Sequence, residues 1–207
     1  METDIQEIVR MLVARMSAKI FLGQPACRDP EWLRVSLDFT MDVFKTAFVL
    51  RMFPTWMRFI VALFLPARYK LRGYREKAKQ VVGAKIARHS NAVRMKEMGK
   101  PVEEEDTLVD WMLENGNPEE TSVPEMANRQ LAMTLASIHT TSTNTANFLF
   151  ELCAHPEWFP VLREEIDEVS KQVGNGSEVD IRLWHPRLER MDSFLLECFR
   201  VHPPILR

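Results

Sequence analysis

Apolar residues recur at Ile5, Ile8, Val9, Leu12, Val13, Met16 and Ile20, the three-and-four spacing that predicts an amphipathic helix over residues 1–22, ended by Gly23 and Pro25. The same reading predicts a helix over about 30–52, an apolar segment at 53–66, a long charged helix over about 67–98, and a short helix over 107–115 stopped by "NGNP". "KPVEEED" is the polar break before that short helix. Ser122-Val123-Pro124-Glu125 has the S-x-x-E form of a capping box, and no Gly or Pro follows until Pro156, which predicts a helix over 123–154 about 48 Å long. A helix over 156–173 leads to the glycines 174 and 176, and another covers 190–201. An extended backbone is expected only after Val201, at the Pro203-Pro204 pair. The pattern is that of an all-α chain.

The helix over 123–154 carries an unusual load. From Thr134 to Thr145 it places seven Ser or Thr residues, one His and one Asn, all poor helix formers that compete for the backbone's hydrogen bonds. Leu131, Leu135, Ile138, Ser142, Ala146, Leu149 and Cys153 form a stripe suited to burial, and Thr134, Ser137, Thr141 and Thr145 form a small polar stripe on another face. Small hydroxyl residues admit something bulky close to the backbone and offer hydrogen bonds where water is scarce. A close helix-helix contact lined by small residues, with His139 as an interior histidine, would produce the same pattern.

Composition narrows the classes. The 27 basic residues are matched by 29 acidic ones, for a formal net charge of -2, and the cluster "RYKLRGYREKAK" reads as a solvated helix face, so no nucleic-acid partner is expected. Cys27, Cys153 and Cys198 are far apart, form no CxxC or Cys/His ligand spacing and read as small buried side chains in a reducing environment. The acids Glu2, Asp4 and Glu7 replace the basic start of a signal peptide. "FIVALFLP" is far short of the roughly 20 residues that span a bilayer, although "FPTWMRFIVALFLP" could lie in a membrane surface with Trp56 and Arg58 at the interface, or form a buried turn between two helices.

Ala136-Ser137-Ile138-His139-Thr140-Thr141 in the long helix, and Glu197-Cys198-Phe199-Arg200 followed by His202-Pro203-Pro204, together resemble two motifs of the cytochrome P-450 family of heme-thiolate monooxygenases. The first stands where members carry A/G-G-x-D/E-T-T/S, and the second is their E-x-x-R. The two lie in order, 57 residues apart from Thr140 to Glu197, and "ELCAHPEWFPVLREEIDEV" and "LERMDSFLLECFR" look like the segments that join them. "RMSAKIFLGQPACRDPEWL" and "LRMFPTWMRFIVALFLPARYKLR" look like the helices and substrate-access lid of fungal members of secondary-metabolite pathways, in which His often replaces the acid of the first motif. The resemblance implies that residues 1–207 are a central helical portion of the P-450 fold, with 53–66 as the access-lid segment.

The same resemblance implies heme as cofactor, electrons from NADPH through a cytochrome P-450 reductase, a hydrophobic substrate of terpenoid or indole type, and a parent enzyme on the cytoplasmic side of the endoplasmic reticulum. Thr140 and His139 would be catalytic, in oxygen activation and proton relay. Ala136, Ser137, Thr140 and Thr141 would form the heme and dioxygen face. A histidine suits the relay because its unperturbed pKa of about 6.5 lets it give up and regain a proton near neutral pH. Ser137 in place of glycine narrows the groove. Glu197 and Arg200 would be a buried structural charge pair, costing about 3–5 kcal/mol if either partner were removed.

The family's cysteine loop lies beyond E-x-x-R, so none of the three cysteines is carried over as the iron ligand, and no metal ligand is assigned. The amino-terminal anchor, the early helix that contacts the heme propionates and the third member of the Glu197–Arg200 charge network are likewise not matched. The reading is a fragment of a monooxygenase, from an incomplete gene model or a degenerate gene. The alternative is a catalytically dead helical binding protein descended from that family. A terpene synthase would need DDxxD and a metallohydrolase HExxH, and neither occurs. Poor solubility is expected of the chain, since faces meant to pack on heme and on further segments would be apolar and exposed.

Overall fold

The computed structural model describes residues 4–102, 105–173 and 181–203, and among them every regular element is helical. Residues 103 and 104 of the polar break, the glycines 174 and 176, and residues 204–207 of the expected extended end lie outside the described residues. The elements are α1 (Ile5–Leu22), α2 (Pro30–Arg51), α3 (Thr55–Phe64), α4 (Ala67–Glu97), α5 (Leu108–Asn115), α6 (Val123–Ala154), α7 (Trp158–Val173), α8 (Ile181–Trp184) and α9 (Glu189–Val201). Short 3-10 turns occupy Ala26–Arg28 and His185–Arg187.

The chain divides into two compact units, one spanning Glu7–His139 and the other Met1–Gln6 with Thr140–Arg207. In the first, Leu22, Trp32, Val82, Val109, Met126 and Ile138 are fully buried and bring one face each of α1, α2, α4, α5 and α6 into a single core. Gly23 ends α1 at φ 73°, a conformation glycine adopts without cost, and Gly99 does the same after α4 at φ 72°. Asp29 caps α2 by accepting from the Glu31 amide at 2.9 Å, and Pro30 in the first turn has no N–H to satisfy.

The pairing of α2 with α4 is fixed by an edge-on contact of Phe39 with Tyr74, their centroids 6.1 Å apart. The Tyr74 hydroxyl donates to Asp42 Oδ2 at 2.8 Å, and burial together with the Asp42 carboxylate raises its pKa.

α3 differs from the expectation of a buried turn. None of its residues is buried, and Trp56, Phe59 and Phe64 are each more than 70% exposed. Thr55, Arg58 and Ala62 share one side of "TWMRFIVALF" and the bulky apolar residues take the rest, a face that holds no buried residue. No helix among the described residues is long and apolar enough to cross a membrane.

In the second unit, Leu152 of α6, Leu162 of α7, and Phe194 and Cys198 of α9 form a small core flanked by Phe148 and Met191. Phe194 is its hub, edge-on to Phe148 at 5.3 Å and tilted against Trp158 at 5.6 Å. Glu165 of α7 is 5% exposed and accepts from the amides of Arg190 and Met191 at 2.6 and 2.9 Å. Those amides belong to the first turn of α9, which has no side-chain cap of its own, so Glu165 satisfies two orphan donors and sits at the positive end of the helix dipole.

Candidate functional site

α6 runs unbroken through the hydroxyl-rich stretch. Thr145 Oγ1 donates to the Thr141 carbonyl one turn back at 2.8 Å, and Ser36 and Thr40 of α2 do likewise at 2.9 and 3.0 Å. The expected capping box at its start does not form as written. The Ser122 hydroxyl donates to the Glu119 carbonyl at 2.9 Å, and Glu125 turns toward Arg129, 3.6 Å away. Half of that motif forms at α5, where Thr107 Oγ1 accepts from the Asp110 amide at 3.3 Å, while its hydroxyl also donates to Asp110 Oδ2 at 2.5 Å.

The two stripes separate less cleanly than their spacing predicts. Leu131, Ile138, Ser142 and Ala146 are buried, but Cys153 at the foot of the apolar stripe is exposed, while its neighbour Leu152 takes the inward position there. Thr134, placed on the polar stripe, is 3% exposed. Ala136, Thr140 and Thr141 are exposed, and Ser137 and His139 are half-buried. The Ser137 hydroxyl donates to Ser17 Oγ of α1 at 3.2 Å, and the His139 ring lies against Phe44 of α2, centroids 5.0 Å apart and planes at 41°.

Glu197 and Arg200 meet as their spacing implies. Arg200 Nε and Nη2 donate to the two carboxylate oxygens at 2.8 and 2.6 Å, a forked geometry that holds the Glu197 carboxyl below its usual range and raises the guanidinium. The pair is not buried, however: the side chains are 59% and 71% exposed. Phe194 and Cys198 take the inward face of α9, so positions 197 and 200 fall on its outward face.

Two further clusters carry charge that sequence spacing did not reveal. In the second unit a cavity of about 370 Å³ is lined by Glu151, His155, Trp158, Phe194, Glu197 and Cys198. Glu151 Oε1 lies 2.7 Å from His202 Nε2, and Oε2 lies 3.7 Å from His155 Nε2. In the first unit Asp110 gathers Lys85 Nζ at 2.6 Å, His89 Nδ1 at 2.9 Å and the Thr107 hydroxyl, beside a cavity of about 590 Å³ that also holds Arg88 and Glu105. Burial pushes the Asp110 carboxyl up, but bonds from Lys85, Thr107 and His89 and the Lys85 charge outweigh it and leave the pKa lowered. The T-x-x-D form of Thr107–Asp110 was the one available signal for this cluster.

In the first unit Ala136 is small and exposed, while the Ser137 hydroxyl is already given to Ser17; in the second, Thr140 and Thr141 are small and exposed, and such side chains would fit beside a large flat cofactor. The cysteines do not fit as an iron ligand. Cys27 is buried in an apolar core, and Cys153 protrudes from a helix. Burial and the carboxylates of Glu151 and Glu197 push the Cys198 thiol up, away from the thiolate.

A family model described as Cytochrome P-450 matches residues 1–207. A cytochrome P-450 monooxygenase of Stachybotrys chlorohalonatus is 44% identical over 206 residues, covering 99% of this chain and 38% of that protein. Another, of Emericella nidulans, is 38% identical over 205 residues, covering 98% of this chain and 37% of its own length. An ent-kaurene oxidase of Gibberella intermedia is 32% identical over 209 residues, covering 99% of this chain and 36% of that enzyme. The chain thus spans little more than a third of the length of these relatives.

Proposed function

The chain belongs to the cytochrome P-450 family, and from that premise we propose that it forms the oxygen-side part of a fungal heme-dependent monooxygenase acting on a hydrophobic secondary metabolite. The observation that carries the proposal is the family match across the whole chain, which includes both quoted motifs. The heme, when bound, supplies the iron at which dioxygen is reduced with electrons from NADPH by way of a reductase. Ala136, Ser137, Thr140 and Thr141 form the face turned to it, Thr140 holds a water by its hydroxyl, and His139 moves protons from solvent to that water. Glu197 and Arg200 are not catalysts; they pair on the exposed side of α9. None of Cys27, Cys153 and Cys198 serves as the axial thiolate.

The substrate class rests on the company the chain keeps. The name of the ent-kaurene oxidase favours a terpenoid over an indole skeleton, and α3 with its exposed Trp56, Phe59 and Phe64 suits both a substrate lid and a membrane surface of the endoplasmic reticulum. Trp56→Ser with Phe59→Ser should weaken binding of the protein to lipid vesicles. Unchanged binding would remove the membrane role.

The test of the whole reading uses the full-length protein that carries this chain. Reduced and exposed to carbon monoxide, it should give a thiolate-type Soret band that persists when Cys27, Cys153 and Cys198 are all replaced by serine. Loss of the band in that folded variant would show that the ligand assignment is wrong. Absence of the band from the parent would favour a catalytically dead binding protein.

A further inference from the structure

We infer that Phe44 of α2 is a positioning residue for His139, holding the imidazole in the orientation that proton relay requires; the inference rests on the role proposed above for His139. Ile138 is 2% exposed, so the backbone of α6 beside His139 is held in the core of the first unit. Two residues earlier the Ser137 hydroxyl bonds to Ser17 of α1. With the backbone held on these counts, the orientation of the imidazole is set by its two side-chain torsions and by what the ring packs against.

Phe44 acts on those torsions. Its ring lies 5.0 Å from the imidazole, within the range of an aromatic contact, and tilted at 41°. The phenylalanine is itself well anchored: Thr40, one turn earlier, is 2% exposed and bonded to the Ser36 carbonyl. Yet Phe44 is 46% exposed, and Phe48 one turn later is 70% exposed, so the ring stands where the packing of α2 gives out. An aromatic ring at such a margin contributes little to the core. Its specific contact is with the one histidine of the hydroxyl-rich stretch.

A residue that acts only through another should be replaceable by any flat ring and should lose its effect when its partner is gone. Phe44→Tyr and Phe44→Trp therefore preserve the function, Phe44→Leu impairs it, and Phe44→Leu adds nothing in a His139→Gln background. Because the side chain is nearly half exposed, these variants leave the core intact.

Two measurements test this. In the 207-residue chain labelled with carbon-13 in its five histidine rings, the resonance that disappears in His139→Gln identifies His139. Phe44→Leu should move that resonance and leave the other four in place. In the full-length protein with reductase and NADPH but no substrate, hydrogen peroxide released per NADPH oxidised reports misdirected proton delivery, since dioxygen that has taken two electrons and two protons then leaves as hydrogen peroxide instead of being reduced to two waters by four electrons and four protons. His139→Gln should raise that ratio toward its ceiling of one peroxide per NADPH, Phe44→Leu should raise it part of the way, and Phe44→Tyr should restore it. An unmoved His139 resonance in Phe44→Leu would overturn the inference. So would an unchanged peroxide ratio in Phe44→Leu beside a raised one in His139→Gln. An unchanged ratio in His139→Gln would fell the relay reading itself, and this inference with it.

Discussion

Arg200 grips Glu197 through two hydrogen bonds of 2.8 and 2.6 Å, on the solvent side of α9. Geometry that in a core would be costly to break is therefore a surface fork, screened by water and salt. The buried polar group that fixes α9 is a different one, Glu165, which accepts from the amides of Arg190 and Met191 while 5% exposed.

The contrast gives the first prediction. In the 207-residue chain Arg200→Ala should shift the thermal midpoint by less than about 4 °C, and Glu197→Gln likewise. Glu165→Ala should cost about 1–3 kcal/mol, because it strands two helix-end donors and leaves a cavity. Thermal and urea unfolding monitored by circular dichroism would decide the matter. A large loss from Arg200→Ala with none from Glu165→Ala would reverse the assignment of roles.

Much of the fold was legible because the chain punctuates itself. Gly23 with Pro25, Gly99, and "NGNP" stand at helix ends, and apolar spacing marked α1 and α6. Burial was legible only where one stripe was narrow. Glu197 and Arg200 read as buried from the family's motif, yet the direction they face is set by Phe194 and Cys198, residues whose claim on the core depends on α6 and α7. The Asp110 cluster was illegible for a related reason. Lys85 and His89 lie on a helix read as a charged face, and only its packing on α5 turns their charges inward.

That cluster carries the second prediction, with a definite pH sign. The folded-state pKa of Asp110 is lowered, so its contribution to stability is fully present above the unfolded carboxylate value of about 3.9 and is lost as pH falls through the lower folded value. Urea midpoints measured from pH 6 down to pH 3 should fall less steeply in Asp110→Asn than in the parent chain. Lys85→Ala, which takes the lysine from a carboxylate 12% exposed and leaves it the Thr107 hydroxyl and His89, should cost about 3 kcal/mol at neutral pH. Parallel acid profiles for parent and Asp110→Asn would refute the coupling.

Glycine positions supply a third prediction, in which two substitutions of one kind have opposite signs. Gly73 lies within α4 with open space where a Cβ would stand, so Gly73→Ala should stabilise by about 0.5–1 kcal/mol. At Gly23 the backbone has φ 73°, and a Cβ would strike the Glu105 carboxylate, which pairs with Lys19 and accepts from the Gln24 amide. Gly23→Ala should therefore destabilise by more than about 1 kcal/mol. Gly99→Ala, at φ 72° with open space, bears the backbone strain alone and should fall between the two. Any other ranking of the three in urea unfolding would contradict the account of Glu105 as a second constraint on Gly23.

The cysteines yield the last prediction. Cys153 is exposed on α6, whereas Cys27 and Cys198 are buried, and burial with the carboxylates of Glu151 and Glu197 raises the Cys198 thiol. Thiolate is the reactive form, so a water-soluble aromatic disulfide reagent at pH 8 should modify one thiol quickly in the native chain and the other two far more slowly. Cys153→Ser should abolish the fast phase and leave the slow ones unchanged. Glu197→Gln, which removes one of the charges opposing ionisation, should speed modification of Cys198 without altering Cys27, provided the rate is limited by ionisation and not by access. The two limits separate by pH: an ionisation-limited rate rises tenfold per pH unit below the thiol's pKa, and an access-limited one does not. A fast phase that survives in Cys153→Ser would mean that the core around Cys198 opens readily, and that the small Leu152, Leu162 and Phe194 cluster does not hold α9 in place.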